Sequence, residues 1–411
     1  MGLMFYRLFI ASYDFVLRLA ALFNAKARLF VEGRAGTFDV LGQQMENRTA
    51  PLAWFHCASL GEFEQGRPII EAFKQEFPTY KILLSFFSPS GYEVRKNYPL
   101  ADYVHYLPLD TRANATRWVS LADPKIAFFI KYEFWHFYIR EMAARDIPVL
   151  SVSSIFRADQ VYFRPWGAFQ RKILHNVTHF FVQDQNSENL LKKIGIACVS
   201  LAGDTRFDRV FEICQKATEI EGVAKFSATG KVMVIGSCWP EDMEVLYPFI
   251  RANELKYIIA PHEISTKFIA EISSKAGKKV TLFSKGPQSW PGNDVLVIDN
   301  IGMLSRLYQY ADYAYVGGAF GKGLHNILEA ATFGLPIFFG NKSYARFKEA
   351  VELRAQSAAF AVGSYEKLQK AFDNLNKDEN YPTASHISAG YVKKNTGATA
   401  KVIRFTRELQ L

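Results

Sequence analysis

From residue 51 onward, short apolar runs alternate with longer stretches of mixed polarity. The runs at 52–58, 81–87, 103–107, 125–132, 148–153, 179–183 and 199–202 read as strands. Helical patterns fall between them, at 63–77, 111–121, 136–145, 165–175 and 187–194. The run Ile126 to Ile130 is apolar at every position, as in a parallel strand covered on both faces. A second series follows at 232–235, 257–260, 280–283, 295–298, 313–316, 336–339 and 358–361. Strand–helix alternation at this spacing predicts an α/β protein of two Rossmann-like, doubly wound domains. We place the first at 36–207, a helical linker at 208–230, and the second at 231–392. Residues 393–411 read as a last helix able to cross back to the first domain. Such a pair normally holds ligands at the carboxyl ends of its strands, facing a cleft.

Residues 1–35 have a different pattern. Arg7, Asp14 and Arg18 fall on one narrow helical stripe, and most of the remaining circumference is Leu, Phe, Met, Ile and Val. No uncharged run approaches the ~18 residues of a clear membrane span. Asp14 interrupts any signal-peptide core. The segment predicts an amphipathic helix lying in a membrane interface, flanked by Lys26, Arg28 and Arg34. The alternatives are a helix packed on the protein's own core and a tilted span.

The formal charge of +9 favours anionic partners without choosing among them. Basic residues are scattered rather than clustered, so nucleic acid is not an expected partner. Cys57, Cys198, Cys214 and Cys238 form no C-x-x-C pair, and the histidines have no metal-ligand spacing. Neither a metal nor a cofactor is expected.

The candidate chemistry lies after predicted strands. Gly317, Gly318, Gly321 and Gly323 follow the run 313–316, and Asn326 then suits the N-cap of a short helix at 327–333. Glycines let a backbone approach a phosphate, and Glu329 could accept the hydroxyls of a ribose. The other reading is a glycine-rich turn with an ordinary capped helix. Ser237, Pro261 and His262 end two more strands of this half and would line the nucleotide side; Ile301, Gly302 and Met303 could meet a base. In the first half, Glu62 opens a helix just after a strand, near Ser59 and Gly61. The positive helix end favours its ionised form, suited to accepting a proton; a plain capping carboxylate is the alternative. Lys131 and Glu133 form either a site or an ion pair. Arg206 follows the last strand of this half and could face a phosphate or carboxylate.

Assembled, these residues resemble the 3-deoxy-D-manno-oct-2-ulosonic acid (Kdo) transferases. The likeness lies in 56–62, Glu133 to Trp135, 147–150, 203–208, Gly317 and Gly318 with His325 to Glu329, Gly340 and 347–349. It implies a GT-B fold, CMP-Kdo as donor, a lipid A precursor (lipid IVA) as acceptor, and metal-independent transfer with inversion. The setting would be the cytoplasmic face of the inner membrane. The resemblance casts Glu62 as general base, with Glu133 and Arg206 steadying the transition state. Pro261, His262, Ile301, Gly302, Met303, Asn326, Ile327, Leu328 and Glu329 would hold CMP, with Ser59, Gly61, Lys131, Ser237, Gly318 and His325 as further candidates. The family's usual arginine beside the CMP histidine is missing, since Pro261 is followed directly by His262 and Glu263. Another GT-B glycosyltransferase, a nucleotide-sugar epimerase, or a membrane-docked nucleotide-binding protein without catalysis are the alternatives.

Overall fold

The computed structural model describes residues 2–409. The chain forms two compact units. Unit 1 takes the residues up to Arg209 and those from Thr396 onward; unit 2 is Val210–Asn395.

Unit 1 contains β1 (Leu52–Cys57), β2 (Lys81–Phe86), β3 (Tyr103–Tyr106), β4 (Ile126–Ile130), β5 (Val149–Ser154), β6 (His179–Val182) and β7 (Val199–Leu201). They make one parallel sheet in the order β3-β2-β1-β4-β5-β6-β7. Unit 2 contains β8 (Val232–Cys238), β9 (Lys256–Pro261), β10 (Val280–Leu282), β11 (Val295–Val297), β12 (Tyr313–Val316), β13 (Ile337–Gly340) and β14 (Ala359–Val362). Their parallel order is β10-β11-β9-β8-β12-β13-β14. Each predicted strand is present, with ends displaced by a few residues at most. Helices cover both faces of each sheet, which is why β1 and β4 are buried at every residue.

Aromatic packing fills unit 1. On one face of its sheet, Trp54 meets Trp118, Phe129 and Tyr138. On the other, Phe55 stacks on Phe128 at 4.5 Å between ring centres. That second face is covered by the helix Leu60–Glu76 and by the last helix, Ala398–Glu408, which packs against it. Asp208 caps the last helix, accepting from the Gly397 N–H (2.5 Å) and the Thr399 N–H (2.7 Å).

The first thirty residues form two helices rather than one, α1 (Gly2–Ala21) and α2 (Ala25–Glu32); α3 (Thr37–Met45) follows. Asn24 makes the break: its side chain accepts the N–H groups of Lys26 and Ala27, starting a new helix. Leu3, Tyr6 and Ile10 turn inward, and the Tyr6 hydroxyl donates to buried Asp110. Met4, Phe5, Leu8, Phe9, Phe15, Val16, Leu19, Leu22 and Phe23 stay exposed. Arg34, expected among the lipid-attracted residues, is folded inward instead. Its guanidinium donates to the carbonyls of Phe30, Phe87 and Leu107, and it lies 3.5 Å from the Phe30 ring centre. Among the described residues no helix is long and apolar enough to cross a membrane.

Candidate active site

In unit 1 the strand order reverses between β1 and β4, the place where open α/β sheets bind ligands. Glu62 follows β1 and Glu133 follows β4. Glu62 stands one turn into α4 (Leu60–Glu76) and forms a capping box: its carboxylate accepts the Ser59 N–H (3.1 Å) while Ser59 Oγ accepts the Glu62 N–H (3.4 Å). The capping role offered as the alternative is thus present. The carboxyl is only 8 % exposed. Burial, then repulsion from Glu133, pushes its pKa up to about 7, against the pull of Lys131 and the backbone N–H bonds. The helix end was expected to favour the ionised form; burial and the second carboxylate outweigh it.

The loop carrying Glu133 is held from below. Lys131 has a left-handed backbone (φ 63°), and its carbonyl accepts from Ser154 Oγ at 2.8 Å. Trp135 donates its indole N–H to His56 Nε2 (3.3 Å), so His56 carries its proton on Nδ1 and donates to Ser85 Oγ (2.9 Å). Glu133 lies 3.8 Å from the same Nε2. Arg206 opens the helix Thr205–Gln215 and is ion-paired with buried Asp204 at 2.8 Å. Asp204 also accepts from Gln65 of α4 (2.9 Å), and Thr205 donates to the Gln65 carbonyl (2.5 Å). The helix α4, which carries Glu62, and the arginine are thereby fixed to one another.

In unit 2 the order reverses between β8 and β12. Ser237 and Trp239 lie at the end of β8, His262 follows β9, and Gly318 and His325 follow β12. Gly318 has φ 94°, a conformation that L side chains rarely adopt. Its N–H is already used: buried Asp242 accepts it (2.9 Å), together with the Trp239 N–H (2.9 Å) and the Tyr315 hydroxyl (3.0 Å). A protein carboxylate thus fills the base of the glycine loop, and an anionic guest has to rest farther out. The helix after the loop is short, Leu328–Thr332, and it starts one residue later than its sequence suggests. Ile327 rather than Asn326 therefore takes the N-cap place; Asn326, one residue earlier, accepts the Leu328 N–H (3.2 Å) and donates to Glu329 Oε1 (3.2 Å).

Above the loop three rings stack. Trp239 lies on His262 (4.5 Å between centres) and His262 on His325 (4.4 Å). The Trp239 indole N–H donates to His325 Nε2 (3.2 Å), which places the histidine's proton on Nδ1. Burial and then His262 push the His325 pKa down to about 4, so the ring is neutral at pH 7. Lys322 sits over the Trp239 ring at 5.2 Å, and Arg346 donates to the Lys322 carbonyl. Ile301 is 92 % exposed beside Gly302, and Met303 precedes the helix Leu304–Leu307.

Residues 32–209 match the family described as 3-deoxy-D-manno-octulosonic-acid transferase (kdotransferase). Curated relatives extend the match into unit 2. A 3-deoxy-D-manno-octulosonic acid transferase of Aquifex aeolicus is 28% identical over 324 residues, covering 77% of this chain and 83% of that protein. One from Chlamydophila psittaci is 28% identical over 304 residues, covering 71% and 70%. Over most of its length the chain resembles Kdo transferases. It is accordingly a glycosyltransferase.

Solved structures give the fold of the chain. A UDP-GlcNAc 2-epimerase from Neisseria meningitidis aligns with TM-score 0.61 at 16% identity, over 87% of this chain and 99% of the epimerase. MurG from Acinetobacter baumannii aligns with TM-score 0.56 at 12% identity, over 87% and 99%. At such identities the likeness establishes the GT-B architecture alone.

The structure gathers the sequence candidates into two groups, one per unit. Ser59, Gly61, Glu62, Lys131, Glu133 and Arg206 sit at the carboxyl edge of the first sheet, and the rest at that of the second. Sequence reading missed Asp242 as the loop's anchor, although Pro240 followed by two acids is a helix-start pattern. It also missed the Trp239–His262–His325 stack, for which no local signal exists.

Proposed function

We propose that this glycosyltransferase moves Kdo from CMP-Kdo onto a hydroxyl of a lipid A precursor, with inversion at the anomeric carbon. The observation that carries the reading is Glu62: a buried carboxyl, at the point of strand reversal in unit 1, titrating at about 7. A base balanced near neutrality both binds and releases a proton readily. Glu62 takes the proton from the acceptor hydroxyl as the new C–O bond forms and the CMP–Kdo bond breaks. Glu133 and Arg206 steady the transition state, and Arg206 is held ready by Asp204.

Unit 2 takes the nucleotide. Glu329, oriented by Asn326, accepts the ribose hydroxyls. His325, neutral with its proton on Nδ1, is a donor for the departing phosphate. Pro261, His262 and the 301–303 loop border the base. No step needs a metal ion.

The exposed apolar arc of α1 lies in the headgroup region of an acidic bilayer, holding the enzyme beside its lipid substrate. The cytoplasmic face of the inner membrane, where such a substrate would be met, is the expected setting. The test is to supply purified protein with CMP-Kdo and lipid IVA and weigh the product by mass spectrometry. A mass gain of one or more Kdo residues supports the reading; CMP release without a lipid product, or no turnover, overturns it.

A further inference from the structure

One large apolar side chain outside α1 is unusually exposed for the effort spent on holding it. Trp166 is 74 % exposed, in the loop between β5 and the helix Ala168–Leu174. The loop around it is tied down by hydrogen bonds and packing. Arg171 reaches back and donates to the carbonyls of Tyr162 (3.1 Å) and Arg164 (2.7 Å). The Gly167 N–H donates to the Arg164 carbonyl (3.0 Å), and a Cβ at Gly167 would run into the Val161 carbonyl. Tyr162 packs edge-on against Phe134 and Phe156, anchoring the loop's inner side in the core. The indole is its large apolar side chain left outside. An unneeded exposed tryptophan would be expected to fold back onto apolar surface; here the backbone is built so that it does not.

The neighbourhood says what the indole meets. The start of α1 rests on this loop's helix, with Gly2 against Phe169. Phe5 and Phe9 from the exposed arc of α1 share with Trp166 the wall of one groove of about 480 Å³. In the same loop and the helix after it, between residues 157 and 172, Arg157, Arg164 and Lys172 are exposed, and Asp159 is the one acid in that stretch. Aromatic side chains level with an apolar helix face and ringed by basic residues match a membrane–water interface with anionic headgroups.

We infer that Trp166 is a second membrane anchor, inserted at the headgroup level of an anionic bilayer beside α1. This rests on the interfacial reading of α1 and adds a function to it. A single helix lying in an interface leaves the attached body free to roll about the helix axis. A second rigid contact off that axis stops the roll and fixes how unit 1 faces the membrane.

The experiment uses the full chain with vesicles of phosphatidylethanolamine and phosphatidylglycerol. Trp166→Ala should bind about 5- to 30-fold more weakly, with an unchanged circular dichroism spectrum and unchanged turnover of a detergent-dispersed acceptor. Trp166→Phe should keep most of the binding but lose much of the tryptophan quenching by lipids brominated on their acyl chains. Equal quenching of wild type and Trp166→Phe, with Trp166→Ala still binding normally, overturns the anchor. The double variant Phe5→Ser/Phe9→Ser separates the two readings: if it releases the protein while the Trp166 variants do nothing, the helix reading stands and this one falls. A dimer in solution that Trp166→Ala dissociates would mark the patch as a subunit contact and also overturn it.

Discussion

At Glu62 one side chain serves two demands that pull its proton in opposite directions. The capping box wants an acceptor at the start of α4, which either Glu or Gln supplies. The chemistry wants a carboxylate that can be protonated and deprotonated near neutral pH. Glu62→Gln should therefore keep the fold and CMP-Kdo binding while lowering transfer by at least about 10²-fold, measured as product per enzyme. For the wild type, kcat/KM should rise with pH through about 7 as the base loses its proton. Stability runs the other way. The folded pKa lies above the ordinary 4.5, so the native state holds the proton more tightly than the unfolded chain. That contribution is fully present below about pH 4.5 and is lost as pH rises through about 7. Denaturant melts at pH 8 should then find Glu62→Gln more stable than wild type by about 1–3 kcal/mol, with the difference vanishing near pH 4. A second residue-scale prediction concerns Trp239. Trp239→Phe keeps a ring on His262 but removes the N–H that fixes His325. It should raise KM for the donor about 5- to 10-fold, as expected for one lost orienting hydrogen bond. Nitrogen NMR should show His325 as a tautomer mixture instead of the Nδ1–H form; an unshifted tautomer would remove indole control.

Among elements, the strands were readable because a parallel strand covered on both faces is apolar at most of its positions. Ile126–Ile130 is the plainest case, buried at every position. The order of the strands was not readable. Glu62 and Glu133 are neighbours only because β1 pairs with β4, and nothing local in either segment announces that pairing. The same holds for Trp239, His262 and His325, which meet because β8, β9 and β12 adjoin. The expected rise in ionisation at Glu62 failed for the related reason that burial and a partner distant in sequence outweighed the local helix end. The break in the N-terminal helix had a visible cause in Asn24, whose capping habit was overridden in the reading by the continuing apolar pattern. Asn24→Ala should destabilise α2 by about 1 kcal/mol, seen as faster amide exchange at Lys26 and Ala27 with little change elsewhere.

For the molecule as a whole, the chain passes from unit 1 to unit 2 near Arg209 and returns near Thr396. The returning segment completes the first unit's core: Ala398, Val402 and Ile403 belong to the same buried cluster as Ile69 and Phe73 of α4. Asp208 ties down its start through the N–H groups of Gly397 and Thr399. Asp208→Ala should cost about 1–3 kcal/mol, the range for losing a charged cap with several bonds. Hydrogen exchange should rise first across the last helix; unaltered protection there would mean that its apolar face alone secures it.

This arrangement has a bearing on how the protein comes into being. Synthesis proceeds from the amino end, and domains generally fold as they emerge. Here α4 leaves the ribosome with a strip uncovered, and its cover, Ala398–Glu408, is translated only after Val210–Asn395. The second unit, Val210–Asn395, is complete sooner. Under the proposed function, the helix carrying Glu62 is covered only after the unit assigned to the nucleotide is complete, so a chain cut short before Ala398 should hold the donor before it is able to use it.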